Sequence, residues 1–561
     1  SRPGRSRTLD TTPVRVRDLR PPGGPSRNLW NALRIRPAKS SAASRAVEDT
    51  RFAPSVRRRE PEFELGWLAP AYWQPGGTRK DTDMSHSPVG NLINGQWSSG
   101  DGLEHLDVTS PLDGSVLSSI PLSTTVELDR AVEAATVAFS GWSSLTIRDR
   151  AQVAYRYRSL LESHTEELAE LVHLENGKTV AEGRAEVAKA IEVTEFACSL
   201  PQLVAGEVLE VSPGVECRVD HCPLGVVASI TPFNFPCMVP HWTIPIAITL
   251  GNAYILKPSE QVPLTARRSA ELLAEAGLPD GVFQMINGDR RIVEAICDHP
   301  GISAVAFVGS TPVARSVYSR ATSSGKRALG MGGAKNHLVV LPDAEVELTA
   351  ENVTESATGC AGQRCMAASA LIAVGEVDHI IERVCEKAAE VVPGHNLGAV
   401  ISSSARDRIV GFIDEAEAAG ARVLVDGRGA TVEGCEGGYY VGATVIDGVT
   451  PEMAIAQQEV FGPVLAVLRA EDMDEALEIE RRSPFGNAAA IYTRDGGAAR
   501  EFASRASSGM VGVNIGVPVP REPFGFGGWN DSRFGVGNIT GEESVAFWTQ
   551  SRKVTSRWPE E

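Results

Sequence analysis

Beyond residue 204 the chain repeats one pattern: a short apolar run ending in a turn, then a longer stretch with helical spacing. The runs "CPLGVVASITPFNFP" and "GNAYILKPSE" open the series, and "HLVVLPDA", "SALIAV", "ARVLVDG", "VFGPVLAVL", "NAAAIYT" and "GMVGVNI" continue it after Asn336. Strands alternating with helices build parallel sheets covered on both faces, so the expected class is α/β with two doubly wound units of similar size. Ahead of them, from about Ser123 to Val204, "LDRAVEAATVAFSGW" and "RAQVAYRYRSLLESHTEELAELV" carry helical spacing alone.

At 561 residues, 42% hydrophobic and 22% charged, the chain can bury two or three cores. A formal net charge of −17 argues against a nucleic-acid or anionic-membrane partner, and no apolar run approaches the ~20 residues that span a bilayer. Nine cysteines without paired spacing give neither a disulfide framework nor a CxxC metal site, so no metal is expected. A soluble protein follows.

Residues 1–83 differ from the rest. They hold 17 Lys+Arg against 9 Asp+Glu, a local +8 that leaves −25 for the remainder, with frequent proline and no apolar period. Such a segment cannot bury enough surface to fold alone. It reads as a disordered or non-native N-terminal extension: translated upstream sequence with Met84 as the natural start, or an Arg-rich organellar transit peptide. The first places the protein in a bacterial cytoplasm, the second in the mitochondrial matrix.

Chemistry concentrates in a few motifs. "ILKPSE" puts Lys257, Ser259 and Glu260 just beyond a strand, where α/β sheets present ligands. "AVAFVGSTPVARSV" puts Gly309 and Ser310 at a helix start able to hold a pyrophosphate. No GxGxxG fingerprint accompanies them, so each signal alone also fits an ordinary turn. "TPFNFP" at Thr231–Pro236, "GQRC" at Gly362–Cys365 and "QEVFGPV" at Gln458–Val464 complete the set.

In this order and spacing the motifs resemble the NAD-dependent aldehyde dehydrogenase superfamily over essentially all of Leu92 to Trp558. The resemblance implies the aldehyde dehydrogenase fold: a Rossmann-like NAD-binding domain (84–205 and 226–335), an α/β catalytic domain (336–524) and a β oligomerisation arm (206–225 and 525–558), hence a homo-oligomer, dimer or tetramer. It implies Cys365 as nucleophile, with Cys360 a packed bystander, and Asn234 as oxyanion donor beside the Cys365 N–H. It places Thr231, Pro232, Phe233, Lys257, Ser259, Glu260, Gly309, Ser310, Glu459 and Phe461 around NAD. Lys257 and Glu260 would take the adenosine ribose, with Glu260 disfavouring the 2′-phosphate of NADP; Glu459 would take the nicotinamide ribose.

Hydrolytic members carry a glutamate base in "Glu-Leu-Gly-Gly-Lys"; here "ALGMGGAKNH" puts Met331, or Gly330, in its place. The segments "PFNFPCMVPHW", "GGAKNH", "GQRCMA" and "FWTQSRKVTSRW" resemble the methylmalonate-semialdehyde dehydrogenase branch, which transfers the acyl group to coenzyme A. That likeness implies a small carboxylated aldehyde as substrate, with NADH, acyl-CoA and CO2 as products. Arg364 would bind the substrate carboxylate and help hold Cys365 as thiolate; its other reading is an arginine tied to backbone carbonyls.

Two departures stand out. Lys189 occupies the position of the branch's second carboxylate-binding arginine, keeping charge without the planar fork. The loop "PREPFGFGGWNDSRFG" replaces "Phe-Ser-Phe-Thr-Gly", so Phe524, Phe526 and Trp529 either shape the substrate mouth or merely pack. The alternatives are a hydrolytic enzyme that recruits another base, such as Glu351 or Glu355, and a non-catalytic relative. His337 stays outside the catalytic set.

Overall fold

The computed structural model describes residues 85–559 other than Asp101, so the expectations for residues 1–83 and for Met84 lie outside the described residues. The helical region forms four helices, Thr125–Ser144, Ile147–Ser163, Thr165–Asn176 and Val180–Leu203. Threonines start three of them. Thr124 and Thr179 make reciprocal capping boxes with Glu127 and Glu182, and Thr146 accepts the Asp149 N–H. Buried Leu128, Ala131, Val132 and Ala135 form the inward stripe of the first helix.

The first sheet has eight strands. Its centre is parallel, in the order Phe283–Met285, Ala253–Lys257, Val226–Ile230, Ile302–Val308, Arg327–Met331. A hairpin of Asn91–Ile93 and Gln96–Ser98 closes one edge and Arg533–Phe534 closes the other, both antiparallel. The central strands Val226–Ile230 and Ala253–Lys257 are buried throughout, as strands covered on both faces must be.

The second sheet has seven strands in the order Arg422–Val425, Thr444–Asp447, Val464–Ala470, Ala368–Val374, Asn336–Val340, Ala488–Tyr492, Met510–Val513. Only the first of these runs antiparallel to its neighbour. All seven fall within 336–524.

A third, antiparallel sheet joins Glu207–Ser212, Val215–Pro223 and Thr549–Arg557, with Thr549 opposite Pro223 and Arg557 opposite Val215. The expected arm segment 525–558 is therefore too long. Arg533–Phe534 belongs to the first sheet, and the helix Gly541–Trp548 ends on a fully buried Trp548 whose carbonyl accepts from Asn252. Among the described residues no helix is long and apolar enough to cross a membrane.

One buried ion pair links the helices to the turn after Val226–Ile230. Lys178 Nζ lies 2.7 Å from Glu186 Oε2, both side chains almost wholly buried. The ammonium also donates to the Asn234 carbonyl and sits 4.0 Å from the Phe235 ring centroid. Glu186 Oε1 accepts the N–H groups of Cys237 (2.7 Å) and Met238 (3.0 Å). The pair thus fixes residues 234–238 from both sides.

Removing one partner strands a buried charge, which costs roughly 3–5 kcal/mol. Lys178→Met is expected to lower unfolding stability by that order, read as an earlier guanidinium midpoint. An unchanged midpoint would mean that the pair contributes nothing.

Candidate active site

Cys365 follows a backbone segment that few residues tolerate. Cys360, Ala361 and Gly362 all have positive φ, 54°, 52° and 67°. Left-handed backbone costs roughly 1–2 kcal/mol at each non-glycine residue. Gly362 is required outright, because a Cβ there would lie 2.0 Å from the Gly462 carbonyl oxygen.

Hydrogen bonds hold the strained turn. Glu182 Oε1 accepts the Cys360 N–H at 2.5 Å. Gln363 accepts the Ile401 N–H and donates to the Ala399 carbonyl. Asn234 Nδ2 donates to the Gln363 carbonyl at 3.0 Å, and Asn336 and Asn487 each donate to the Cys365 carbonyl at 2.8 Å.

Two cavities meet at Cys365, sharing only that residue, Phe235 and Trp242 in their linings. The first, about 840 Å³, collects every residue expected at the cofactor. Thr231, Pro232, Phe233 and Asn234 follow one strand end, Lys257, Ser259 and Glu260 the next, and Gly309 and Ser310 a third. Glu459 and Phe461 close the inner wall, with the Phe461 ring edge-on to Phe233 at 5.9 Å.

The charges in this cavity are graded. Burial pushes Glu260 up, but the Lys257 ammonium 2.8 Å away outweighs it and holds the carboxylate below its usual range. Burial pushes Glu459 up to about 7, against the Ala334 N–H at 3.0 Å and the Lys335 charge. Burial likewise pushes Lys335 down to about 7, and its Nζ has no hydrogen-bond partner among the described residues. Glu459 approaches the chain so closely that a Cβ on Gly333 would lie 2.5 Å from its Oε2.

The second cavity, about 1130 Å³, holds Arg364 and Lys189. Arg364 donates through Nε to the Gly359 carbonyl (2.9 Å) and through Nη2 to the Glu355 carbonyl (3.0 Å). The backbone-tied reading of this arginine thus holds for those two nitrogens. Nη1 has no partner among the described residues. Lys189 is ion-paired, 2.8 Å from Glu522 and 3.3 Å from Glu192.

Other expectations divide. Phe526 lines this cavity and packs on Trp242 at 4.6 Å, but Phe524 and Trp529 are exposed outside both cavities. Glu355 lines the second cavity; Glu351 lines neither. Met331 is buried at a strand end and lines neither. His337 is buried, pushed down to about 3 by burial and by Lys335.

Arg364 favours the Cys365 thiolate, as expected, but does not outweigh the burial around the sulfur. Burial, with the Glu459 charge adding to it, pushes the thiol up to about 12, and the nearby N–H groups and Arg364 offset only part. Cys360 is buried and raised for the same reason. Glu182, Gln363, Asn336, Asn487 and Glu522 are the residues that sequence reasoning missed. Asn336, Gln363, Asn487 and Glu522 stand inside the quoted "GGAKNH", "GQRC", "NAAAIYT" and "PREPFGFGGWNDSRFG", which gave them no role; only Glu182 lies outside every quoted segment.

The pattern of the aldehyde dehydrogenase family matches residues 97–554. Malonate-semialdehyde dehydrogenase 1 of Geobacillus kaustophilus (strain HTA426) is 45% identical over 475 residues, covering 83% of this chain and 97% of the relative. A methylmalonate-semialdehyde dehydrogenase from Oceanimonas doudoroffii superposes with a TM-score of 0.83 at 40% identity, covering 85% of this chain and 99% of that one. A chain from Sinorhizobium meliloti 1021 assigned the same name, solved with NAD, gives 0.84 at 41% identity, covering 86% and 99%.

A half-buried protonated thiol such as Cys365 reacts only through its small thiolate fraction. Alkylation of Cys365 by iodoacetamide in the free protein is expected to rise about tenfold per pH unit from 7 to 10. A plateau below pH 8 would contradict the burial argument.

Proposed function

The chain belongs to the aldehyde dehydrogenase family, and we propose that it oxidises a small carboxylated aldehyde of the malonate or methylmalonate semialdehyde type, with NAD as oxidant and coenzyme A as acyl acceptor. The observation that carries this reading is Cys365 at the junction of two cavities; Met331, which the motif resemblance aligns with the hydrolytic glutamate, carries no carboxylate and lies buried outside both cavities. The names of the relatives support the substrate class.

The first cavity fits a dinucleotide by its donor set. The helix Thr311–Ser323 starts there without a side-chain cap, leaving first-turn N–H groups for a pyrophosphate. Lys257 and Glu260 suit ribose hydroxyls at the outer end. Glu459 Oε2, without a hydrogen bond among the described residues, suits the second ribose. NAD bound there would supply a hydride acceptor.

The protein's part begins with Cys365. Its thiol gives up its proton to solvent in the open cavity and Sγ bonds to the aldehyde carbon, so the C=O π pair moves onto oxygen as an oxyanion. Asn234 Nδ2 keeps a second proton beyond the one given to Gln363, and with the Cys365 N–H it stabilises that charge. Arg364, through Nη1, receives the substrate carboxylate. Loss of hydride from the tetrahedral carbon leaves a thioester on Cys365.

With no base at Met331 to activate water, the coenzyme A thiol takes the acyl group and restores the Cys365 thiol. A β-carbonyl acid also releases CO2, because the carbonyl accepts the electron pair as an enolate. The product is acetyl-CoA or propionyl-CoA. The arm strand Glu207–Ser212, with Val208, Leu209 and Val211 exposed, supports a dimer or tetramer, and we place the enzyme in the cytoplasm.

Turnover of malonate or methylmalonate semialdehyde with NAD is expected to need CoA, and mass spectrometry to find acyl-CoA in step with NADH. Sustained CoA-independent turnover to a free acid would favour the hydrolytic alternative, with Glu355 the candidate base lining the cavity.

A further inference from the structure

The substrate-side cavity contains a carboxylate already bound to one of its cations. Glu522, its side chain only 6% exposed, lies 2.8 Å from Lys189, and Glu192 backs the same ammonium at 3.3 Å. Arg521 in turn lies 3.9 Å from Glu192. All four line the cavity that reaches Cys365. Of its lysines and arginines only Arg364 lacks a carboxylate partner among the described residues.

Lys189 comes from the helix Val180–Leu203 and Glu522 from the loop after Met510–Val513, 333 residues away in sequence. A half-buried ammonium held by two carboxylates has little attraction left for a third. We infer that Glu522 is a specificity-determining residue: it occupies Lys189 in the place of a substrate carboxylate, so the substrate acid is received by Arg364 alone. The inference rests on the carboxylated-aldehyde reading above and deepens it.

The test compares kcat/KM for malonate semialdehyde with that for propanal, which matches its length and lacks the acid. In Glu522→Gln the ratio of semialdehyde to propanal is expected to rise about tenfold, through a lower KM for the semialdehyde, the size of one partly screened charge-assisted contact. Lys189→Met, which bares the Glu522 carboxylate, should lower the ratio, and the double variant should return it near the starting value.

A ratio unchanged within about twofold in Glu522→Gln, or an equal loss on both aldehydes, would overturn the inference and make Glu522 a tether for its loop. A parent enzyme that prefers propanal would count against the carboxylated-aldehyde reading itself, and the change of ratio in the variants would still decide the role of Glu522.

Discussion

Three carboxamides converge on two carbonyl oxygens, and the site depends on that junction. Asn234, from the turn after a first-sheet strand, holds the Gln363 carbonyl, while Asn336 and Asn487, from the second sheet, hold that of Cys365. Each such bond nets about 1 kcal/mol. Together they fix Cys365 against both sheets and keep the left-handed turn at Cys360–Gly362 from relaxing. The buried Lys178–Glu186 pair extends this to the Asn234 turn, so the Asn234 carboxamide and the Cys365 sulfur share one rigid frame.

Burial dominates the electrostatics of that frame. It raises Cys365 and Glu459 and lowers Lys335, the last two to about 7, and Arg364 with the nearby N–H groups offsets only part of the rise at the sulfur. A protonated thiol in an apolar junction is protected from adventitious oxidation, which needs the thiolate. Its cost is low nucleophilicity in the free protein. The permanent charges sit further out, at Lys257 and Glu260 on one side and around Lys189 on the other, where they sort ligands rather than drive bond making.

Much of this was legible in the sequence because it is local. Capping threonines, the helical stripe and apolar runs such as "HLVVLPDA" name their own elements, and all ten cofactor residues read from motifs line one cavity. The strands Phe283–Met285, Arg327–Met331 and Thr444–Asp447 escaped notice because they are three to five residues long without clear alternation. What stayed hidden is partner choice over long separations. Lys189 meets Glu522 across 333 residues, and Asn234 meets the Gln363 carbonyl across 129. No periodicity or motif encodes such pairings.

The central claim is that the acyl group waits on Cys365 until a thiol removes it. Mixing the protein with NAD and semialdehyde in the absence of CoA, then mapping the digested peptides by mass, tests this directly. The account predicts an acyl adduct on the peptide carrying Cys365, persisting until CoA is added and then appearing as acyl-CoA. An unmodified Cys365 peptide, with free acid accumulating as NADH forms, would contradict it.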